Sequence, residues 1–110
     1  NILVEISTHG TVYECSSQQT ETIYRLCQEA VTNAIRHGGA ENIYLILRFY
    51  PQNIEVFAID NGCGCFEIKK SYGLSGIEAR IARLSGNVSF SSDGESGFTI
   101  HASIPKQAHD

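Results

Sequence analysis

Hydrophobic residues recur with the period of an α-helix between Glu21 and Ala40. On a helical wheel they form one apolar arc that is expected to pack on a sheet: Ile23, Leu26, Cys27, Ala30, Val31 and Ala34. The helix is predicted to begin near Thr20, with Ser17 or Thr20 as its cap, after a loop over residues 14–19. The glycine pair at positions 38–39 is expected to end it just after His37.

Three polar residues of this helix, Glu29, Asn33 and His37, recur every four positions. Each step turns about 40° past a full circle and climbs about 6 Å, so their side chains follow one stripe at the margin of the apolar arc. Two interpretations are open at this point. The row lines a cleft that holds one ligand, or it is a solvated helix face of the ordinary i,i+4 kind.

Strand-like patterns occupy most of the remaining chain. The segments are Ile2–Thr8, Ile43–Tyr50, Ile54–Asp60, Val88–Ser92 and Phe98–Ile104, the first at a sheet edge and the others paired as two hairpins. A second helix is predicted over Ile77–Ser85, with Gly86 as its stop. The fold class is therefore an α/β (α+β) two-layer sandwich, in which helices cover one face of a mixed, mostly antiparallel sheet of about five strands. The other face is expected to be polar or shielded by a partner.

Composition narrows the possible functions. A length of 110 residues with 42% hydrophobic content fits one domain, and no apolar run is long enough to cross a bilayer. A net charge of −4 disfavours nucleic acid as a partner. The four cysteines are expected to be reduced, as in the cytosol, and Cys63 and Cys65 lack the second close pair of a closed zinc site.

Two glycine turns point to a phosphate-bearing ligand. DNGCG spans Asp60–Gly64 at a predicted strand end, and GLSG spans Gly73–Gly76 before the second helix. Glycine lets the main chain approach a ligand closely, and free N–H groups at a helix start favour phosphate. The chain contains neither a P-loop nor a dinucleotide-binding motif, so those two folds are not indicated.

Taken together, these motifs resemble a known family. QEAVTNAIRHGGA is similar to the N box of sensor histidine kinases, DNGCGC to their first glycine box, and YGLSGIEARIARLSG to the second. The order and spacing resemble the nitrate-sensor-like branch, and the similarity extends from about Tyr24 to Pro105. The resemblance implies the ATP-binding fold that histidine kinases share with gyrase-type and mismatch-repair ATPases.

The resemblance also implies a role for each motif residue. Asn33 would bind Mg²⁺, Glu29 would act on the nucleophile or on a magnesium-bound water, and His37 would lie near the phosphates. Asp60 would accept a hydrogen bond from the adenine amine, with Gly62 and Gly64 beside the base. The turn containing Gly73, Leu74, Ser75 and Gly76 would form the hinge of a lid and hold the phosphates.

Two other positions carry expectations. Arg80 matches the family pattern, and a structural salt bridge is favoured over a catalytic role. Phe98 stands where many relatives have threonine, so it would pack beside the base or in the core.

We therefore expect residues 1–110 to be a single ATP-binding catalytic domain of a longer chain, with ATP and Mg²⁺ as ligands. It is expected to be cytoplasmic, with any membrane anchor elsewhere in the parent protein. Its partners would be the parent's dimerisation and histidine phosphotransfer domain and a response regulator. None of the four histidines has a recognisable phosphoacceptor context. Two alternatives remain: a serine kinase of the anti-sigma-factor type, and a non-catalytic nucleotide-responsive or protein-binding module.

Overall fold

Five strands and two helices make up the part of the chain that the computed structural model describes, namely residues 3–35, 41–62, 72–92 and 97–106. The strands are β1 (Leu3–Gly10), β2 (Asn42–Phe49), β3 (Asn53–Asp60), β4 (Asn87–Ser91) and β5 (Phe98–Pro105). The helices are α1 (Ser17–Asn33) and α2 (Tyr72–Arg83).

The strands form one sheet in the order β1-β2-β3-β5-β4. β1 runs parallel to β2, and all other neighbours are antiparallel. The predicted edge position of the first strand and both predicted hairpins are confirmed. The long path from β1 to the parallel strand β2 includes α1, as a parallel connection requires.

Helix α1 begins earlier than predicted. Ser16 is the cap: its side chain accepts a hydrogen bond from the Gln19 N–H, and the Gln19 side chain accepts one from the Ser16 N–H. This capping box satisfies two backbone donors at once. The predicted loop is confirmed over residues 14–16, whereas residues 17–19 belong to the helix. The prediction of Ser17 or Thr20 as cap was wrong, because Ser16 takes that role. Gln19 also anchors this turn by donating to the Pro105 carbonyl at 2.9 Å.

Helix α2 also begins earlier than predicted, at Tyr72, so Gly73–Gly76 belong to its first two turns. At its other end the N–H of Gly86 bonds the Ile81 carbonyl and the N–H of Ser85 bonds the Ala82 carbonyl, at 2.9 and 3.0 Å. These are the two bonds of a Schellman motif. The residue in the left-handed conformation is Ser85, with φ of 61°, and not the predicted stop Gly86. Gly86 is needed for space, because a Cβ there would lie 2.4 Å from the Ser103 carbonyl oxygen.

The core lies between the helices and one face of the sheet. Its fully buried side chains come from both helices and from the central strands: Leu26, Ile43, Ile54, Val56, Ile81, Ile100 and Ile104. Both described cysteines, Cys15 and Cys27, are free thiols whose pKa burial raises. No helix within the described ranges is long and apolar enough to cross a membrane.

The outer sheet face carries polar groups over apolar ones. His101 stacks on Phe57 with ring centroids 4.3 Å apart and also pairs with Glu55, while Arg48 lies over the same ring at 6.0 Å. The polar outer face was one of the two predicted outcomes. At the edge, both faces of β1 are exposed, including Ile6 at 70%.

Candidate functional site

The end of strand β3 places a carboxylate in a buried position. Asp60 is only 8% exposed, and its Oδ1 accepts a hydrogen bond from the Gly62 N–H at 2.9 Å. Burial raises the pKa of this carboxyl, and backbone hydrogen bonds from Gly62 and Phe98 partly offset that rise. Asp60 is therefore fixed in orientation by the backbone, as a base-recognising acceptor must be.

Gly97 holds the start of β5 against this carboxylate. Its N–H donates to the Gly62 carbonyl at 2.5 Å, and its own carbonyl accepts from Ser92 Oγ at 2.8 Å. Gly97 has φ of 88°, and a Cβ there would lie 2.5 Å from the Asp60 carbonyl oxygen. Only glycine meets both requirements, because the left-handed conformation and the close approach both exclude a side chain.

Phe98, which follows Gly97, packs against the core and stacks with Phe90 at a centroid distance of 6.4 Å. Of the two placements expected for Phe98, the structure shows packing on the core. Its backbone still pairs with Asp60 in the β3–β5 ladder.

Helix α1 carries Glu29 and Asn33, and both side chains are half-buried. On the wheel Asn33 lies about 20° from Leu26, which is fully buried, so Asn33 points toward the sheet side of the helix. The Asn33 side chain makes no hydrogen bond to another described residue. A half-buried amide in this position is suited to bind a ligand held between the helix and the sheet.

A groove with a volume of about 490 Å³ lies between α1 and α2. It brings Glu29 of the first motif together with Ser75 and Gly76 of the third. The remaining lining residues are Arg25, Gln28, Ile77, Ala79, Arg80 and Arg83. Two motifs more than 40 positions apart in the sequence thus share one surface.

The arginines of the groove differ in their partners. Arg80 lies 3.9 Å and Arg25 lies 3.7 Å from the same oxygen, Oε1 of Glu21. The salt bridge expected for Arg80 is therefore confirmed, and it links the two helices. Arg83 makes no ion pair with another described residue and lies in the last turn of α2, where a cation opposes the negative end of the helix dipole.

The first two turns of α2 combine a buried anchor with exposed positions. Leu74 is 3% exposed and fixes the helix start in the core, whereas Ser75 and Gly76 are exposed. No acidic residue stands in the first turn of α2, which is the end at which the helix dipole favours negative charge. The arrangement suits an anion such as a phosphate.

Two predicted site residues, His37 and Gly64, lie outside the described residues, as do Cys63 and Cys65. Among the residues that are described, no group of three or more His, Cys, Asp or Glu side chains could hold a metal ion by itself.

Sequence reasoning missed three contributors. Arg25 and Arg83 belong to the groove. Arg83 follows Arg80 by three positions within the predicted second helix, so helical spacing already put both on one face. Asn61 accepts two backbone hydrogen bonds from residues 19 and 20 positions away. No local pattern indicates a contact across that separation.

The chain belongs to the family described as histidine kinase-, DNA gyrase B- and HSP90-like ATPases, which it matches over residues 18–108. Among curated proteins, it is similar to two sensor histidine kinases of Bacillus subtilis strain 168. It is 34% identical to YxjM over 86 residues, which is 78% of this chain and 21% of that protein. It is 37% identical to LnrJ over 81 residues, which is 74% of this chain and 20% of that protein. The chain thus spans about one fifth of the length of these relatives.

Solved structures give the same fold. The Acinetobacter baumannii histidine kinase AdeS aligns with a TM-score of 0.75 at 21% identity, covering 97% of this chain and 55% of that one. The histidine kinase domain of the Escherichia coli osmosensor EnvZ aligns with a TM-score of 0.72 at 18% identity, covering 97% and 77%. The predicted two-layer fold and the resemblance to sensor histidine kinases are confirmed.

Proposed function

We propose that this domain binds Mg-ATP and donates the γ-phosphoryl group to a histidine on a separate dimerisation domain of its parent protein. A response regulator would then receive the phosphoryl group. The observation that carries the proposal is the convergence of Glu29 with Ser75 and Gly76 on one groove, in a fold that also fixes the Asp60 carboxylate at a strand end. The domain's contribution to phosphoryl transfer is positioning and charge neutralisation.

At the base end, Asp60 accepts a hydrogen bond from the exocyclic amine of adenine, with the buried backbone of Gly62 beside the ring. Guanine presents an acceptor oxygen at the same edge and so meets the carboxylate unfavourably. A hydrogen bond to a charged group contributes about 1.5–3 kcal/mol, which corresponds to roughly 10- to 150-fold in affinity. This one contact is large enough to select ATP over GTP. Gly64 is assigned to the same pocket from its motif alone.

At the phosphate end, Asn33 offers a neutral oxygen to Mg²⁺, which binds few protein ligands and completes its shell with phosphate oxygens and water. When bound, Mg²⁺ neutralises charge on the phosphates. The donor set fits this use, because the Asn33 amide is half-buried and unpaired among the described residues. The first turn of α2, with Gly73, Leu74, Ser75 and Gly76, directs backbone N–H groups to the phosphates. His37 is assigned to phosphate contact by its place in the motif.

Glu29 is assigned to the acceptor side. It lines the same groove as Ser75 and Gly76, so in this proposal an incoming histidine side chain meets the carboxylate and the γ-phosphate there. There the carboxylate would orient or deprotonate the imidazole that attacks. The charged residues that line the groove are Glu29 and three arginines, Arg25, Arg80 and Arg83, so positive side chains outnumber negative ones there.

Calorimetry with ATP, with and without Mg²⁺, tests the nucleotide site. The expected result is binding that Mg²⁺ strengthens in the wild type and strengthens much less in Asn33→Ala. Thr32→Ala on the polar side of the same turn is the matched control and should behave as wild type. Undetectable binding at millimolar ATP would sink the proposal.

Phosphotransfer is tested by mixing the domain with the parent's histidine-bearing helical segment and Mg-ATP. Acid-labile phosphohistidine on that segment is expected, and Glu29→Gln should reduce it while leaving nucleotide affinity unchanged. Acid-stable phosphoserine on an added protein would instead identify a serine kinase. Binding without transfer to any acceptor would identify a nucleotide-responsive module.

A further inference from the structure

One side-chain oxygen ties the turn after β3 to the beginning of β2. Asn61 Oδ1 accepts hydrogen bonds from the backbone N–H groups of both Glu41 and Asn42, each at 2.9 Å. The Asn61 N–H also donates to the Asn42 carbonyl at 3.2 Å. These three bonds lie just beyond Ile43 and Asp60, the last pair of the β2–β3 ladder. We call them the Asn61 clamp.

The Asn61 clamp holds the residue that lies between the two proposed base contacts. Asp60 precedes Asn61, and Gly62 follows it. Gly62 is fixed on its other side, because its N–H donates to Asp60 Oδ1 and its carbonyl accepts from the Gly97 N–H. The turn is thus held to β2 through Asn61 and to the start of β5 through Gly62.

The clamp is also connected to the edge strand β1. The Glu41 carbonyl accepts a hydrogen bond from the Leu3 N–H at 2.9 Å, so the two backbone groups of Glu41 connect Asn61 with the first residue of β1. The Asn61 side chain is exposed, but its oxygen bonds two successive backbone N–H groups. It thereby provides the hydrogen-bond acceptor that a strand partner would provide within the sheet.

We propose that Asn61 is a positioning residue for nucleotide recognition: its Oδ1 sets the place of Asp60 and Gly62 and thereby determines affinity and selectivity for the adenine base. This inference rests on the proposed function. The Asn61 side chain contributes only its acceptor oxygen to the clamp, since the third bond comes from its backbone N–H. Aspartate can therefore replace asparagine there, whereas alanine leaves two backbone donors without that partner.

The experiment compares Asn61→Ala, Asn61→Asp and wild type in the whole chain, with Asn87→Ala as the matched control. Asn87 is also an exposed asparagine at a strand end, and its side chain bonds no other described residue. Calorimetry with Mg-ATP and Mg-GTP is expected to show about tenfold weaker ATP binding and a smaller ATP-to-GTP ratio for Asn61→Ala. Asn61→Asp should recover most of the ATP affinity and of the ATP-to-GTP ratio, and Asn87→Ala should leave both quantities unchanged.

Amide hydrogen exchange at residues 41 and 42 provides a readout that needs no nucleotide. Protection of these two amides should fall in Asn61→Ala and be retained in Asn61→Asp. The inference is overturned if Asn61→Ala, shown to be folded by circular dichroism, keeps wild-type affinity and base selectivity, or if Asn61→Asp restores neither. A wild type that binds no nucleotide would instead refute the proposed function, and the clamp's role in base recognition would fall with it.

Discussion

Replacing Gly76 with alanine separates the stability of helix α2 from its use as a phosphate site. Gly76 is the fifth residue of α2, and a Cβ added there meets no heavy atom of the described residues within 4 Å. Glycine in a helix interior costs about 0.8–1.0 kcal/mol relative to alanine. Gly76→Ala should therefore make the protein more stable by about 1 kcal/mol, or raise its melting temperature by roughly 4 °C.

The same substitution should weaken ATP binding. The Cβ of a helical residue tilts toward the N-terminus of the helix, so the new methyl group is directed over the first turn, the end of the helix that favours an anion. In the proposed complex, a phosphate of ATP enters the space that is open beside Gly76 in the protein alone. A methyl group that occupies this space should weaken ATP binding by at least about tenfold, which corresponds to about 1.4 kcal/mol.

The assays are thermal unfolding and calorimetry with Mg-ATP, and Ser85→Gly is the matched control. Ser85 lies in the left-handed conformation at the other end of α2, with φ of 61°, so glycine there should also stabilise the protein, by about 0.5–1 kcal/mol. Its nucleotide affinity should not change. If Gly76→Ala gains stability yet binds ATP as wild type does, no phosphate approaches this residue. A loss of stability would contradict the helical geometry at Gly76.

Three further substitutions test other parts of the site and fold. Asp60→Asn should lower ATP affinity roughly 10- to 150-fold and narrow the gap to GTP, because the amide offers a donor to the base; unchanged selectivity in calorimetry would refute this. Since burial raises the pKa of Asp60, wild-type ATP affinity should fall as the pH drops through that raised value, and the Asn variant should lack this step. Gly97→Ala should destabilise the fold and weaken ATP binding, because its Cβ would lie 2.5 Å from the Asp60 carbonyl oxygen; wild-type thermal unfolding would contradict the geometry. Ser16→Ala should lower the free energy of unfolding in urea by about 1 kcal/mol without changing nucleotide affinity, and a loss of binding in folded protein would contradict a purely capping role.

Ionisation of Asp60 should affect stability and ATP binding in opposite directions: ATP affinity rises with pH, whereas the contribution of Asp60 to the free energy of unfolding falls. The raised pKa of Asp60 means that folding disfavours its ionised form, so this group contributes most to stability below its unfolded-state pKa. That contribution is lost as the pH rises through the folded-state value. Urea titrations of wild type and Asp60→Asn across this range should converge in their pH slope above the raised pKa, where Asp60 no longer titrates.

The elements that the sequence predicted well are those whose patterns are local. Alternation identified the first strand, and runs of β-branched and aromatic residues between turn residues identified the strands of the hairpins. Short connections identified both hairpins, since residues near in sequence pair directly. The helix starts were less well predicted. The capping box at Ser16 pairs a serine with a glutamine three positions on, which is a signal present in the sequence. The bond from Gln19 to the Pro105 carbonyl, which helps to hold this helix start, joins distant residues and has no local signal.

The site was predictable to the extent that its residues lie in compact motifs. Glu29 and Asn33 follow helical spacing, and Asp60 precedes a glycine turn, so residue type and position together indicated their chemistry. The Asn61 clamp could not be predicted, because its partners are backbone N–H groups. Those groups carry no side-chain signature, and only the register of β2 against β3 brings them to Asn61.

Asn33 bears on the two interpretations of the polar row on α1, a ligand-binding cleft or a solvated helix face. A solvated helix face would place Asn33 away from the sheet, yet it lies about 20° from the fully buried Leu26 and directly before Ala34, which is 1% exposed. None of the described residues provides a hydrogen bond to its amide. The amide keeps contact with solvent, since the Tyr13 hydroxyl is the one buried side-chain polar atom without a partner among the described residues. An amide that lies beside buried residues and is still accessible is positioned to meet a ligand, and the Asn33→Ala calorimetry separates ligand binding from exposure to water alone.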